Sequence, residues 1–290
     1  LEARNVFTLE KTENVGNAQI LPLKWVFTYK FDEDGYLEKA KARICVRGDL
    51  EKDMISNNYA ATASAKTFRA VMAFVAAFDM DTDQKDAVNA FLNAILHEPV
   101  YTRTPDGFKA KGKVWKLVRA LYGLRKAPRL WKKELEATLL KHGLEAVPEE
   151  ECLYSNEFMI VIVYVDDFII ANHPTKQARE AAERFKQELT NRYELRHLGE
   201  AKWFLGVRIL RDREARKVWL CQDAYAEHVA TRFHLHELTN WPKTPLTTAI
   251  DISPNTNMAT NAQIKEYQMK VGSIQYSAVL TRPDIAYSVS

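Results

Sequence analysis

Residues 158–171 read "FMIVIVYVDDFIIA", an apolar run broken by two adjacent aspartates, Asp166 and Asp167. A stretch this apolar belongs in a buried strand, yet two neighbouring carboxylates repel each other, and burying either one unpaired is costly. Two arrangements resolve the conflict. In the first, the aspartates make the tight turn of a hairpin whose strands are the apolar flanks. In the second, the carboxylates share a bound cation that offsets their repulsion. The run by itself is compatible with both, so the rest of the chain has to decide.

With 290 residues, 47% of them hydrophobic, the chain can bury a substantial core as one large or two modest domains. Its longest apolar stretches, "AVMAFVAAF" and "FMIVIVYV", are too short to span a bilayer, so no membrane partner is expected. No basic and apolar leader opens the chain, and a first residue of Leu1 rather than Met predicts a piece of something longer. Three cysteines, Cys45, Cys152 and Cys221, are odd in number and far apart. That spacing suits neither a disulfide framework nor a zinc site and points to a reducing compartment. The one close histidine pair, His234 and His236, is expected on the solvated face of a helix end.

A net charge of +3 names no partner, but its distribution does. Residues 109–133, "KAKGKVWKLVRALYGLRKAPRLWKK", hold ten Lys or Arg, no Asp or Glu, and the aromatics Trp115, Tyr122 and Trp131. A solvated face mixes signs; a one-sign run interleaved with aromatics reads as a surface that tracks phosphates.

Alternation and turn residues predict a hairpin over residues 23–47, closing at "DEDG". Helices are predicted at "SAKTFRAVMAFVAAF", with Ser64 or Thr67 as N-cap, and at "APRLWKKELEATLLKHG", with Pro128 in the first turn and Gly143 at the end. A third covers residues 174–193 and a fourth "DAYAEHVATRFHL". "AKWFLGVRIL" and "KVWLCQ" read as two strands joined by "RDREAR"; "NWPKTPL" and residues 247–262 read as linker and mobile connector. Strands and helices mix without strict alternation, so the expected class is α+β.

A two-metal phosphoryl-transfer site needs carboxylates from separate segments, converging on ions about 3.5–4 Å apart. Asp166 and Asp167 offer one set, and Asp79, Asp81, Asp83 and Asp86 are candidates for the other. "DMDTD" lacks the Gly and closing Glu of a calcium loop and reads as the exposed start of a strand. Asp86 differs, because the apolar run "AVNAFLNAIL" follows it directly.

Five ordered blocks now carry a resemblance. "KWVFTYKFDEDGYLEKAKARICVRGD", "QKDAVNAFLNAIL…EPVYTRTPDGF", "VWKLVRALYGLRKAPRLW", "YVDD" and "LGEAKWFLGVRI" resemble, in order and spacing, the reverse transcriptase of copia-type LTR retrotransposons. "VGSIQYSAVLTRPDIAYSVS" looks like the segment leading to that polymerase's RNase H. The resemblance covers almost the whole chain. It implies a right-hand polymerase with an antiparallel palm sheet packed on helices. Residues 1–80 would be fingers and 81–100 the palm strand with the first catalytic aspartate. Residues 101–140 would be the nucleotide- and template-binding block and 141–210 the palm with the YVDD hairpin and primer grip. Residues 211–246 would be thumb, and 247–290 a linker towards an RNase H domain.

The resemblance also implies roles. Asp86, Asp166 and Asp167 would be the catalytic, metal-binding carboxylates for two Mg2+ ions, with Mn2+ as a substitute, Asp167 being the less direct ligand. Lys41 and Arg43 would grip the triphosphate by charge-assisted hydrogen bonds, with Lys30 a weaker candidate. Phe91 would lie under the sugar and exclude a ribose 2′-hydroxyl, unless it is a core residue of "AFL". Tyr122, Gly123 and Arg125 would pack against the incoming nucleotide; Lys126, Pro128, Arg129, Trp203, Leu205 and Gly206 would contact template and primer. The implied partners are an RNA template, a DNA or RNA primer, dNTPs, and the protease, integrase and RNase H parts of one polyprotein. The implied setting is a cytoplasmic virus-like particle with a nuclear phase.

One feature departs from the family pattern. Lys85 stands where an apolar or aromatic residue is usual, and beside Asp86 it could pair with the carboxylate and compete with magnesium. The rival readings are a decayed fragment that only binds nucleic acid, a non-LTR or telomerase-type polymerase, and a metal-dependent nuclease. "LYGLRKAPRLW" speaks against the second, and a nuclease leaves the triphosphate grip unexplained.

Overall fold

The computed structural model describes residues 1–31, 36–52, 58–61, 63–108, 110–237, 239 and 257–289. It divides into two compact units, Leu1–Ala63 with Gln84–Leu198, and Ser64–Asp83 with Gly199–Ser290. Both mix strands and helices, so the chain is α+β, as expected.

The first unit is built around a six-stranded sheet. Its order runs Leu195–Gly199, Asp81–Ala87, Asp167–Asn172, Met159–Tyr164, Glu150–Ser155, Glu145–Val147. The opening run is the centre of this sheet: Met159–Tyr164 and Asp167–Asn172 pair antiparallel from Met159 opposite Asn172 to Tyr164 opposite Asp167. Val161, Ile162, Ile169 and Ile170 are all fully buried. Neighbouring residues of a strand face opposite sides of the sheet, so both faces of this pair are covered, which is why the run is apolar throughout rather than alternating. The helices Ala127–Lys141 and Lys176–Arg192 complete one core. Trp131, Leu135 and Leu139 from the first helix and Ala182, Phe185 and Leu189 from the second share a cluster with Val161, Val163, Phe168 and Ile170. Pro128 stands in the first turn of the former helix, and Gly143 follows its end at φ +74.

Two smaller sheets accompany it. One has the order Phe7–Lys11, Lys113–Arg119, Ile95–Arg103, Ile20–Leu21. The other is the predicted hairpin, Leu23–Phe31 against Leu37–Val46; its expected "DEDG" turn lies outside the described residues.

In the second unit Ser64 caps the helix Ala65–Ala77, its hydroxyl accepting from the Thr67 N–H at 3.1 Å. Phe68 of this helix packs on Phe204, with ring centroids 5.2 Å apart. "AKWFLGVRIL" is not one strand, as its alternation suggested, but two. Leu205 and Gly206 both take positive φ, 52° and 76°, which folds Trp203–Phe204 back on Val207–Asp212. With Lys217–Cys221 these make a three-stranded sheet. The Asp223–Arg232 helix follows. The expected connector ends earlier than its polarity suggested: Thr260 and Gln263 form a reciprocal capping box that starts the helix Asn261–Leu280. The rest of the "NWPKTPL" linker and connector, apart from residues 257–260, lies outside the described residues.

Candidate active site

Asp86 and Asp167 sit on adjoining strands, and the backbone draws Asp166 to them. The N–H of Ala87, next to Asp86, donates to the Asp166 carbonyl oxygen at 2.7 Å. Asp166 itself is in the two-residue turn between Tyr164 and Asp167. So the first arrangement left open at the outset holds in part: the tight turn is Val165–Asp166, Asp167 opens the next strand, and the turn abuts a third carboxylate. Val165 leads the turn at φ 58. Positive φ at the first central position and not at the second is the type II′ pattern, where Gly is usual and a β-branched residue is strained. The turn is held from below by Trp131, 2% exposed, whose indole N–H donates to the Val165 carbonyl oxygen at 2.6 Å.

The electrostatics show carboxylates that repel one another. Asp167 is pushed up to about 6, first by burial and then by the charges of Asp166 and Asp86. Asp86 is also raised, by burial and then by Asp166, although Arg196 and Lys41 pull the other way. Among the described residues, the side chains of Asp166 and Asp167 have no hydrogen bond or ion pair. The cation paired with Asp86 is Arg196, at 3.5 Å. Among the described residues no three His, Cys, Asp or Glu side chains stand as a ready metal-binding group. The three aspartates are thus neighbours by backbone, and their carboxylates are not gathered. Their chemistry fits a hard divalent cation: oxygen donors of one sign, partly desolvated and short of counter-charge.

Lys85 does not take the place feared for it. It points to the face opposite Asp86, as adjacent strand residues must. It is 1% exposed, with its ammonium 2.6 Å from Nδ1 of His197. The competing cation is instead Arg196, a residue of "YELRHLGE" that no local motif marks.

The hairpin register sorts its side chains by chemistry. Val26 faces Arg43, Thr28 faces Lys41 and Lys30 faces Lys39, whereas Trp25, Phe27 and Tyr29 face Ile44, Ala42 and Ala40. Opposed residues share a face, so one side of the hairpin is cationic and the other aromatic. Lys41 is lowered by burial and by repulsion from Arg43 and Lys30, while Asp86 pulls it up; the cationic face therefore feels the carboxylates. Phe91, half-buried in a single turn of 3-10 helix, meets Tyr122 edge-to-face at 4.7 Å. The Arg43 guanidinium lies over the Tyr122 ring, 5.7 Å from its centroid.

The hairpin is fixed to this site by glycine. The Val46 N–H donates to the Tyr122 carbonyl oxygen at 2.7 Å. A Cβ on Gly48 would come within 2.1 Å of the Gly123 carbonyl oxygen, and one on Gly123, at φ +89, within 2.0 Å of the Val46 oxygen. Backbone meets backbone here, with room for no side chain. Gly48 carried no sequence signal beyond its place in "VRGD".

The basic run is less open than its composition suggested. Trp115 and Trp131 are core residues, 6% and 2% exposed, Trp115 stacking on Phe7 at 3.8 Å. Lys126 pairs with Glu98 at 3.2 Å and Lys132 with Glu151. Arg125 reaches the Asp49 carbonyl oxygen at 3.1 Å. A one-sign run in sequence acquires its opposite charges from remote segments once the chain folds. Pro128 is half-buried and Arg129 exposed. Trp203, Leu205 and Gly206 belong to the second unit, where Trp203 is exposed and the Tyr276 hydroxyl donates to the Leu205 carbonyl oxygen at 3.2 Å.

These features define an α+β chain with three neighbouring aspartates and a strand pair that is cationic on one face, and comparison with known proteins gives the class. The family model described as reverse transcriptase (RNA-dependent DNA polymerase) matches residues 4–248, and the chain belongs to that family. It is 32% identical over 284 residues to the retrovirus-related Pol polyprotein from transposon TNT 1-94 of Nicotiana tabacum, covering 93% of this chain and 21% of that protein. It is also 32% identical over 290 residues to the Pol polyprotein from transposon RE1 of Arabidopsis thaliana, covering 93% and 18%. A putative transposon Ty5-1 protein of Saccharomyces cerevisiae is 33% identical over 213 residues, covering 71% and 67%. The chain therefore spans about a fifth of the plant polyproteins it matches. A solved structure of foamy viral protease-reverse transcriptase in complex with double-stranded DNA aligns with a TM-score of 0.47 and 16% identity, over 93% of this chain and 37% of that one.

Proposed function

We propose that this chain is the polymerase part of a copia-type retrotransposon Pol polyprotein and extends a primer on an RNA or DNA template. The observation that carries the reading is the Ala87 to Asp166 backbone bond, which brings the turn carrying Asp166 beside Asp86, while the charges of both act on Asp167; the strand pair with one cationic face supports it. In this reading the hairpin belongs to the fingers and the six-stranded sheet to the palm. The primer 3′-oxygen bonds to the α-phosphorus of a dNTP, the bond to pyrophosphate breaks, and the hydroxyl proton leaves.

Asp86 and Asp166, helped by Asp167, would hold divalent magnesium. When bound, such ions neutralise phosphate charge and favour the ionised 3′-hydroxyl. The chain's own residues do the rest. Lys41 and Arg43 bind the triphosphate, for which an ammonium and a planar guanidinium are complementary donors. Phe91 closes the space beneath the sugar. Trp131 keeps the turn that carries Asp166 in its strained form.

Primer extension on an RNA template with dNTPs and Mg2+ tests the proposal, with Asp86→Asn and Asp166→Asn run beside it. Extension by the parent and none by either variant, with template–primer binding retained, is the expected result. Template–primer binding without extension by the parent would leave a nucleic-acid-binding fragment and refute the polymerase reading.

A further inference from the structure

Arg43, Tyr122 and Phe91 form a contiguous series within one unit. The Arg43 guanidinium carbon is 5.7 Å from the Tyr122 ring centroid, and the Tyr122 and Phe91 centroids are 4.7 Å apart with planes inclined at 63°. Edge-to-face pairs of this kind have a preferred geometry, so the position of one ring constrains the other. Tyr122 is itself tied down. Its carbonyl accepts the Val46 N–H, and Val46 ends the strand on which Arg43 lies. Its hydroxyl has no hydrogen-bond partner among the described residues. Of the side chain, the ring and not the hydroxyl makes the contacts that hold this residue in place. Burial, and then the charge of Asp166, raise the Tyr122 hydroxyl, which sets the ring in the electrostatic field of the carboxylates.

We propose that Tyr122 is a specificity-determining positioning residue: clamped by Arg43, its ring holds Phe91 at the height that excludes a ribose. The inference rests on the reading of Phe91 as the residue beneath the sugar. A steric wall discriminates only if it cannot retreat, because its effect lies in a clash with the wrong ligand. A lone Phe in a short turn can swing away from a 2′-hydroxyl; one backed by a clamped ring cannot. The Arg43 contact adds a second consequence. A residue that also binds the triphosphate stiffens the wall when nucleotide is present, so sugar selection and triphosphate binding are coupled through a single guanidinium.

The experiment is a double-mutant cycle on the full chain, reading the ratio of ATP to dATP incorporation efficiency. Phe91→Val should shift the ratio towards ATP. Tyr122→Phe, which keeps the ring, should leave the ratio within twofold of the parent. Tyr122→Leu should shift it at least tenfold towards ATP. In the Phe91→Val background, Tyr122→Leu should change the ratio by less than twofold, because no wall remains to be held. Multiplying effects in the double variant would mean that Tyr122 acts on the nucleotide by itself, and would overturn the proposal. So would an unchanged ratio in Tyr122→Leu, whatever its stability. If Phe91→Val leaves the ratio unmoved, the sugar reading itself fails, an outcome distinct from a failure of the clamp alone. Arg43→Leu gives an independent check: loss of triphosphate binding cancels in the ratio, so the expected shift towards ATP reports the clamp. The same ratios can be read without turnover, as nucleotide-dependent ternary complexes on a dideoxy-terminated primer. No complex with either nucleotide would refute both readings.

Discussion

Trp131→Phe isolates the bond beneath the catalytic turn. In the parent, the indole N–H meets the Val165 carbonyl oxygen at 2.6 Å from a position only 2% exposed. Removing the donor leaves a shielded acceptor unpaired, which costs about 1–3 kcal/mol, and the smaller ring leaves a void worth roughly another 1 kcal/mol. A loss of about 2–4 kcal/mol is therefore expected in urea unfolding. The bond has a second task. Val165 at φ 58 stores strain on the order of 1–3 kcal/mol, an amount comparable to what the bond contributes. Without the bond the turn should relax towards an unstrained form, and it carries Asp166 with it. Single-turnover extension per folded molecule should then fall at least tenfold, equivalent to about 1.4 kcal/mol in the barrier. Val165→Gly supplies the converse, since glycine occupies positive φ without penalty. It should keep the turn and restore part of the stability when combined with Trp131→Phe. If Trp131→Phe loses stability but its folded fraction extends primer at the parental rate, the bond is scaffold only and the reasoning fails.

Three further outcomes are expected. Asp167 is raised to about 6, so between about pH 4 and 6 the folded protein keeps a proton that the unfolded chain has released; its contribution to stability falls as pH rises through that window. The parent minus Asp167→Asn difference in Tm should show this fall, and added Mg2+ should raise the parent's Tm more at pH 7.5 than at pH 4.5; a flat difference refutes the assignment. Lys85→Met should keep extension within about threefold and shift stability by less than ~1.5 kcal/mol, whereas Arg196→Gln should lower the Mg2+ concentration for half-maximal extension; the reverse pattern would return Lys85 to the carboxylates. Gly48→Ala, whose Cβ would stand 2.1 Å from a backbone oxygen, should cost at least about 2 kcal/mol and raise the KM for dNTP; an unchanged KM would separate this packing from nucleotide binding.

How much of this the sequence discloses follows from the range over which each interaction acts. The Ser64 cap, Pro128 in a first turn and the Asp166–Asp167 hairpin are written in residues close together, so local chemistry revealed them. Leu205–Gly206 was also local, yet apolar alternation across it masked the turn. The errors about charge were of another kind. Lys126 and Lys132 looked free because their partners, Glu98 and Glu151, lie 28 and 19 residues away. Lys85 looked threatening because adjacency in sequence was taken for proximity in space, whereas a strand sends neighbours to opposite faces.

The candidate site itself mixes both ranges, and this bears on how such a site tolerates change. Its carboxylates are announced by motifs, but what shapes them is not. Arg196 reaches Asp86 across 110 residues, Trp131 reaches Val165 across 34, and Gly48 meets Gly123 across 75. None of these supporting residues needs to touch a nucleotide to matter. A copy of this chain could therefore keep Asp86, Asp166 and Asp167 intact and still lose its geometry through one of the three. Substitution at Gly48 would act most directly, because two backbones in contact have no side chain that can move aside.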